Sequence, residues 1–181
     1  MRLFSVAVLL SGSGSNLQAL LDASLPVCAV ASNRAGVRAL ERAAAAGVPG
    51  SAFELSEFAD RAQRDATMAN WLQEQGVRFV VCAGYMHLLT PGFLERFPDR
   101  ILNVHPSLLP EFPGARAIDD ALAAGVETTG VTVHLVDQGL DTGPVIRQEP
   151  VPVQPRDTLI QRIRAVEHRL LPEVVSELCV R

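Results

Sequence analysis

A chain of 181 residues with 48% hydrophobic and 20% charged side chains has the length of one domain and can bury a core without staples. Its formal net charge of −4 and the lack of any Lys/Arg run argue against nucleic acid as the main partner, because binding a phosphate backbone shows as a basic excess. No apolar run reaches the ~18 residues that span a bilayer. The chain opens with the apolar run Leu3–Leu10, which reads as a strand covered on both faces. With Arg2 and the later Ala29-Val30-Ala31 it imitates a secretory signal. The polar Ser11–Asn16 block and Asp22 lie between them, so a buried first strand and a cytoplasmic chain are expected.

The stretch Leu9–Leu17, LLSGSGSNL, looks like a phosphate loop. A dinucleotide fingerprint begins at Gly12 and Gly14 but meets Leu17 where its third glycine belongs, and no acid follows the second apolar run at Ala31-Ser32-Asn33-Arg34. NAD therefore fits poorly. The lysine of a Walker loop is missing too, so ATP fits no better.

Ser15 or Asn16 is expected to cap a helix over Leu17–Ala23. A strand over Val27–Ser32 follows, then a helix over Val37–Ala46 stopped by Gly47 and Pro49. A short strand near Ser51–Phe53 precedes a helix over Glu57–Gln75 closed by Gly76. Val77–Gly84 is the next strand, and Thr90 is placed to cap a short helix over Pro91–Phe97. Alternating strands and helices imply βαβ crossovers and a parallel sheet.

After Ile101–His105, a further strand, the pattern changes. His105–Gly114 carries three prolines and reads as an ordered or functional loop. A helix over Ala117–Ala124 ends at Gly125. Thr129–Val136 and Pro144–Val153 alternate on either side of Asp137–Gly143, as an antiparallel pair joined by a long loop would. Asp157 or Thr158 begins a last helix running to about Val180. The fold expected is α/β: a Rossmann-like open twisted sheet, mainly parallel, with an antiparallel pair in the C-terminal part.

Ligands of such sheets sit beyond the carboxyl ends of the strands. The polar residues of interest fall there. Asn103 and His105 are two apart on a strand, so their side chains share a face, and an amide beside an imidazole suits a carbonyl oxygen gaining negative charge. The other reading is a strand-end pair satisfied by local hydrogen bonds. Asp141, near glycines in its loop, either pairs with His105 or caps a turn. His134 reads as a strand residue that is packed or oriented by a backbone carbonyl, His87 and His168 as surface or rim residues, and Glu167 as a solvated helix charge. No H-E-x-x-H spacing occurs, so no metal is assigned. Cys28, Cys82 and Cys179 lack C-x-x-C spacing and read as buried or half-buried hydrophobes.

The block NVHPSLLPEFPGARA (103–117) with TGVTVHLVDQGLDTGPVI (129–146) resembles the folate-dependent phosphoribosylglycinamide formyltransferases. The resemblance covers nearly the whole chain, from VLLSGSGSNLQAL through SNRAGVRALERA and AGYMHLL to EHRLLP. It implies one formyltransferase domain over residues 1–181, with a phosphoribosyl-binding half to about residue 100 and a catalytic and folate-binding half beyond. It further implies formyl transfer from the cosubstrate 10-formyltetrahydrofolate to the amine of glycinamide ribonucleotide in purine synthesis, by a cytoplasmic monomer or homodimer without metal, nucleic acid or membrane.

By the same resemblance, Asn103, His105 and Asp141 are catalytic. Gly14, Ser15, Asn16 and Glu167 bind the ribonucleotide. Arg61, Met86, His87, Leu88, Leu89, Asn103, Asp137, Gln138, Gly139, Leu140 and Asp141 meet the folate. Backbone N–H groups from Gly14 to Asn16, at a helix start, then suit one terminal monophosphate. Two positions depart from the family's habit: Arg116 stands where histidine is usual, and His87 where arginine is frequent. The chain also stops soon after its last helix, where many relatives have a short tail. A formyltetrahydrofolate hydrolase and a non-catalytic nucleotide-binding module are the alternatives.

Overall fold

The computed structural model describes residues 4–179. Seven strands form one sheet in the order β3-β2-β1-β4-β5-β6-β7. They are β1 (Val6–Leu10), β2 (Val27–Ser32), β3 (Gly50–Ala52), β4 (Phe79–Cys82), β5 (Ile101–His105), β6 (Thr128–Leu135) and β7 (Val145–Pro152). The first five pair in parallel, while β6 runs antiparallel to both β5 and β7. The expected α/β sheet, mainly parallel with an antiparallel C-terminal pair, is the one observed. The parts of the first and last predicted elements at Arg2, Leu3 and Val180 lie outside the described residues.

Side-chain alternation divides the sheet's two faces. Val6, Val8, Leu10, Leu102 and Val104 pack on one side with Leu17 and Leu20 of α1 (Ser15–Asp22), Ala39 and Ala43 of α2 (Arg38–Ala45) and Ile163 and Leu170 of α6 (Leu159–Cys179). Ala7, Leu9, Val80 and Ile101 face the other side, against Met68 and Leu72 of α3 (Arg61–Glu74) and Phe93 of α4 (Pro91–Leu94). Helix α5 (Ala117–Ala124) lies between β5 and β6 in the chain. The period of two carries through β5: Leu102 and Val104 join the α6 side, so Asn103 and His105 share the opposite face with Ile101.

Three helix starts differ from expectation. Neither Ser15 nor Asn16 caps α1: Gly14 takes that place in the left-handed region, and no side chain bonds to the first turn. Thr90 holds the cap position of α4 but makes no side-chain cap bond, and α4 ends at Leu94. The helix expected from Glu57 splits into a single 3₁₀ turn, Leu55–Glu57, and α3, whose first turn is capped when Asp60 accepts from Gln63 N–H at 2.8 Å. A true side-chain cap wins over helix propensity at that point.

Gly14 also does what the absent third glycine of a dinucleotide loop would do. Its φ is +72°, and a Cβ there would lie 2.7 Å from the Ala39 Cβ of α2. Gly14→Ala is expected to lower stability by about 1–3 kcal/mol, the range for strained backbone positions. The check is a lower urea midpoint at unchanged slope; an unchanged midpoint would mean that α2 yields to the added methyl.

Candidate active site

The strand order reverses at β1, which has β2 on one side and β4 on the other. The loop after β1 and the segment after β4 therefore diverge and leave a crevice at the carboxyl end of the sheet. One arm of this crevice, about 370 Å³, is lined by Ser11 to Asn16, Arg34, Arg164 and Glu167. The other, about 210 Å³, runs past Met86 to Leu89 and ends on Asn103, His105, His134 and Asp141. Gly84, Met86, Val104 and Pro106 line both arms, so they form one continuous cleft.

At the floor, β5 and β6 pair so that Asn103 lies opposite His134 and His105 opposite Thr132. All four side chains share one face of the sheet, and two loops cover this end of it. In the 106–116 loop the buried Ser107 hydroxyl donates to Glu111 O, Thr132 Oγ1 donates to Ser107 O at 2.7 Å, and Leu109 N–H returns a bond to Thr132 Oγ1 at 3.1 Å. These bonds make the proline-rich stretch an ordered wall. The 136–143 loop folds back with Asp141 in the left-handed region at φ +54°, a conformation Asp tolerates better than most residues. Its close return depends on Gly143, where a Cβ would lie 1.8 Å from Leu135 O.

The polar groups close into a network around Asp141. Asn103 Nδ2 donates to Asp141 Oδ1 at 3.2 Å and to His134 Nε2 at 3.1 Å. His134 Nδ1–H donates to Leu135 O at 2.8 Å, which fixes Nε2 as the acceptor in the neutral ring. Gly114 N–H donates to Asp141 Oδ2 at 2.8 Å. His105 Nε2 lies 2.8 Å from Phe112 O, and its Nδ1 lies 3.4 Å from Asp141 Oδ2. Both nitrogens of His105 thus face oxygens. Burial pushes the Asp141 carboxyl up, but the neighbouring His134, the Gly114 N–H and His105 outweigh it, holding the group below the ordinary carboxylate range.

At the other arm, the N–H groups of the first turn of α1 point out of the helix without carbonyls four residues back, the usual anion cradle. Asn16 turns its amide across to α6, donating to Glu167 Oε2 at 3.2 Å. Burial raises the Glu167 carboxyl by more than the Asn16 bond and the Arg164 charge lower it. Glu167 is therefore half-buried and aimed into the crevice, not a solvated helix charge.

Met86, His87, Leu88, Leu89, Asp137, Gly139 and Leu140 all line the cleft. Arg61 and Gln138 do not. Arg61 is exposed at the first residue of α3, and Gln138 is exposed on the outer side of its loop. Met86, Leu88 and Leu140 are 60%, 48% and 49% exposed, an apolar wall open to a ligand. Arg116 is exposed just before α5.

His87 and His168 are half-buried. His134, expected to be packed or oriented by a backbone carbonyl, is held by Leu135 O and also forms part of the floor. Arg34 and Arg164 were not singled out at all. Cys82 at the base of the cleft is buried, which pushes its thiol up to about 12 and leaves it an inert hydrophobe. Among the described residues no cluster of His, Cys, Asp or Glu could hold a metal ion, and no helix is long and apolar enough to cross a membrane.

Comparison with known proteins adds the family. The formyl transferase family model matches residues 4–175. The chain is 46% identical over 181 residues to a phosphoribosylglycinamide formyltransferase of Mycobacterium tuberculosis, covering 96% of this chain and 84% of that protein. It is 44% identical over 182 residues to a trifunctional purine biosynthetic protein adenosine-3 of Drosophila pseudoobscura pseudoobscura, covering 94% of this chain but spanning only 13% of that relative's length. Among solved structures it is similar to glycinamide ribonucleotide transformylase 1 of Geobacillus kaustophilus, with TM-score 0.95 and 41% identity over 98% of this chain and 100% of that one. The same enzyme of Symbiobacterium toebii aligns with TM-score 0.94 and 46% identity over 98% and 88%.

Proposed function

The chain belongs to the formyl transferase family, and on that premise we propose that it transfers the formyl group of 10-formyltetrahydrofolate to the amine of N1-(5-phosphoribosyl)glycinamide. The products are the N-formyl ribonucleotide and tetrahydrofolate, a step of de novo purine synthesis. One observation carries the reading: a continuous cleft joins an anion cradle at the start of α1 to the Asn103–His105–Asp141 cluster. In this reading the chain acts as one formyltransferase domain in the cytoplasm.

The geometry supports the following division of labour. The Gly14–Asn16 backbone holds the terminal phosphate, and Glu167 accepts from the ribose hydroxyls, with Arg164 and Arg34 adding positive charge at the rim. The apolar wall of Met86, Leu88, Leu89 and Leu140 packs the flat folate ring. The substrate amine then attacks the formyl carbon, and the formyl oxygen gains negative charge. Protonated His105 stabilises that oxygen. Both Asn103 amide hydrogens are already engaged, so Asn103 gives up its bond to His134 or Asp141 to donate to the oxyanion. Asp141 holds the imidazolium and helps carry the amine's proton to the folate nitrogen as the carbon–nitrogen bond to it breaks.

The test uses the purified chain with 10-formyltetrahydrofolate, with and without glycinamide ribonucleotide. Loss of the folate formyl group that depends strictly on the ribonucleotide is expected. Loss without it would make the protein a hydrolase, and binding of both without turnover would make it a nucleotide-binding module.

A further inference from the structure

The wall from Met86 to Thr90 has no regular secondary structure, yet it is tied at three points. Met86 N–H donates to Ser11 Oγ at 2.9 Å and Thr90 N–H to Asp65 Oδ2 at 2.8 Å. Between them, His87 Nδ1 lies 2.5 Å from Arg64 Nη1. Arg64 and Asp65 are both fully buried, in line with Met68, Ala69 and Leu72 on the inner stripe of α3. Neither lines the cleft.

A buried charge pair of this kind adds little stability by itself, so its bonding pattern is the informative feature. Asp65 Oδ1 accepts from Arg64 Nε at 2.9 Å and from Nη2 at 2.6 Å, and Oδ2 takes the Thr90 N–H. Both carboxylate oxygens are thereby engaged, and Arg64 has Nη1 left for His87.

A guanidinium only donates. His87 Nδ1 must therefore be a bare lone pair, and the ring proton sits on Nε2. There the Asn33 amide lies 3.3 Å away. With its oxygen turned to the ring, Asn33 accepts that proton.

We infer that Arg64 is a positioning residue for the formyl-donor side of the site: it locks His87 neutral with the proton on Nε2 and so fixes the wall the donor packs on. This rests on the transfer reading above. Helix α3 supplies the guanidinium from behind the wall, and the wall shows the ligand an uncharged ring. The groups facing His87 agree. Burial disfavours its charged form first, then Arg64, Arg61 and Arg34 do the same, against Asp65 alone, and Tyr85 packs edge-on at 5.9 Å.

Nitrogen-15 NMR of the unaltered protein, with His87→Gln to assign the signals, tests the lock directly. The expected spectrum has an unprotonated Nδ1 and a protonated Nε2 that persist below about pH 6.5, where a free histidine titrates. A proton on Nδ1, or ordinary titration, overturns the inference. In kinetics, Arg64→Met with Asp65→Leu removes both buried charges together. It is expected to raise the KM for the formyl donor about tenfold, the cost of a lost charged hydrogen bond, with kcat nearly unchanged. His87→Leu should do the same, while His87→Gln, which can accept from Arg64 and donate to Asn33, should largely restore the KM.

An unchanged KM in both the double variant and His87→Leu sinks the inference alone. Absence of ribonucleotide-dependent transfer by the unaltered protein sinks the transfer reading instead. Should the double variant fail to fold, the spectrum of the unaltered protein and the two His87 variants still decide.

Discussion

Asn103→Ala is expected to lower kcat by about 10²–10³-fold, the usual cost of one oxyanion donor. The loss should fall on kcat and kcat/KM alike, since the donor acts where charge develops. The substitution also frees His134 Nε2 and Asp141 Oδ1, which the amide bridges at 3.1 and 3.2 Å, so some loosening of the 136–143 loop accompanies it. Steady-state kinetics at saturating ribonucleotide separates the two effects: loosening alone would show mainly in the KM of the folate. A variant within threefold of the wild-type kcat would remove Asn103 from the chemistry.

Asp141→Asn is expected to cost about 10²–10⁴-fold in kcat, the span of general acid–base contributions. One oxygen survives to accept the Gly114 N–H, but the negative charge opposite His105 and His134 is gone. The sign of the pH effect follows from the Asp141 carboxyl lying below the ordinary carboxylate range. A group depressed in the folded state contributes stability at pH above its unfolded value, about 4, and loses it as pH falls through the lower folded value. Wild type should therefore exceed Asp141→Asn in stability at neutral pH, with the gap narrowing below about pH 4. Urea midpoints from pH 3 to 7 measure it; a gap independent of pH would mean that the carboxylate's charge contributes nothing to the folded state.

The legible part of this site is local. Asn103 and His105 announced a shared face because two residues make one strand repeat, and the proline beside His105 marked the end of the strand. The Asp141 loop was visible from its glycines. His134 was not, because its meaning comes from the antiparallel register that sets it against Asn103, 31 residues away. Arg64 and Asp65 read as ordinary helix charges. Only the packing of α3 against the sheet buries them completely and turns one toward His87. Arg61, matched to folate contacts by resemblance, stands exposed at the start of α3, where its charge reaches His87 and Tyr85 on the cleft wall.

The same division runs through the fold. By itself the sequence determined the α/β class, the antiparallel pair after β5 and most of the helices, since hydrophobic period, glycine stops and proline placement are short-range properties. Gly14 shows where that reach ends. The glycine loop could be read as an anion cradle that suits neither NAD nor ATP, but its cap role and its contact with Ala39 required α2 to be in place. Tertiary structure alone decided which polar groups meet: Asn16 with Glu167, Asp141 with two histidines, Arg64 with His87. Apart from the His134–Asp141 contact, which one loop brings together, each joins elements far apart in the chain and is created by the strand order.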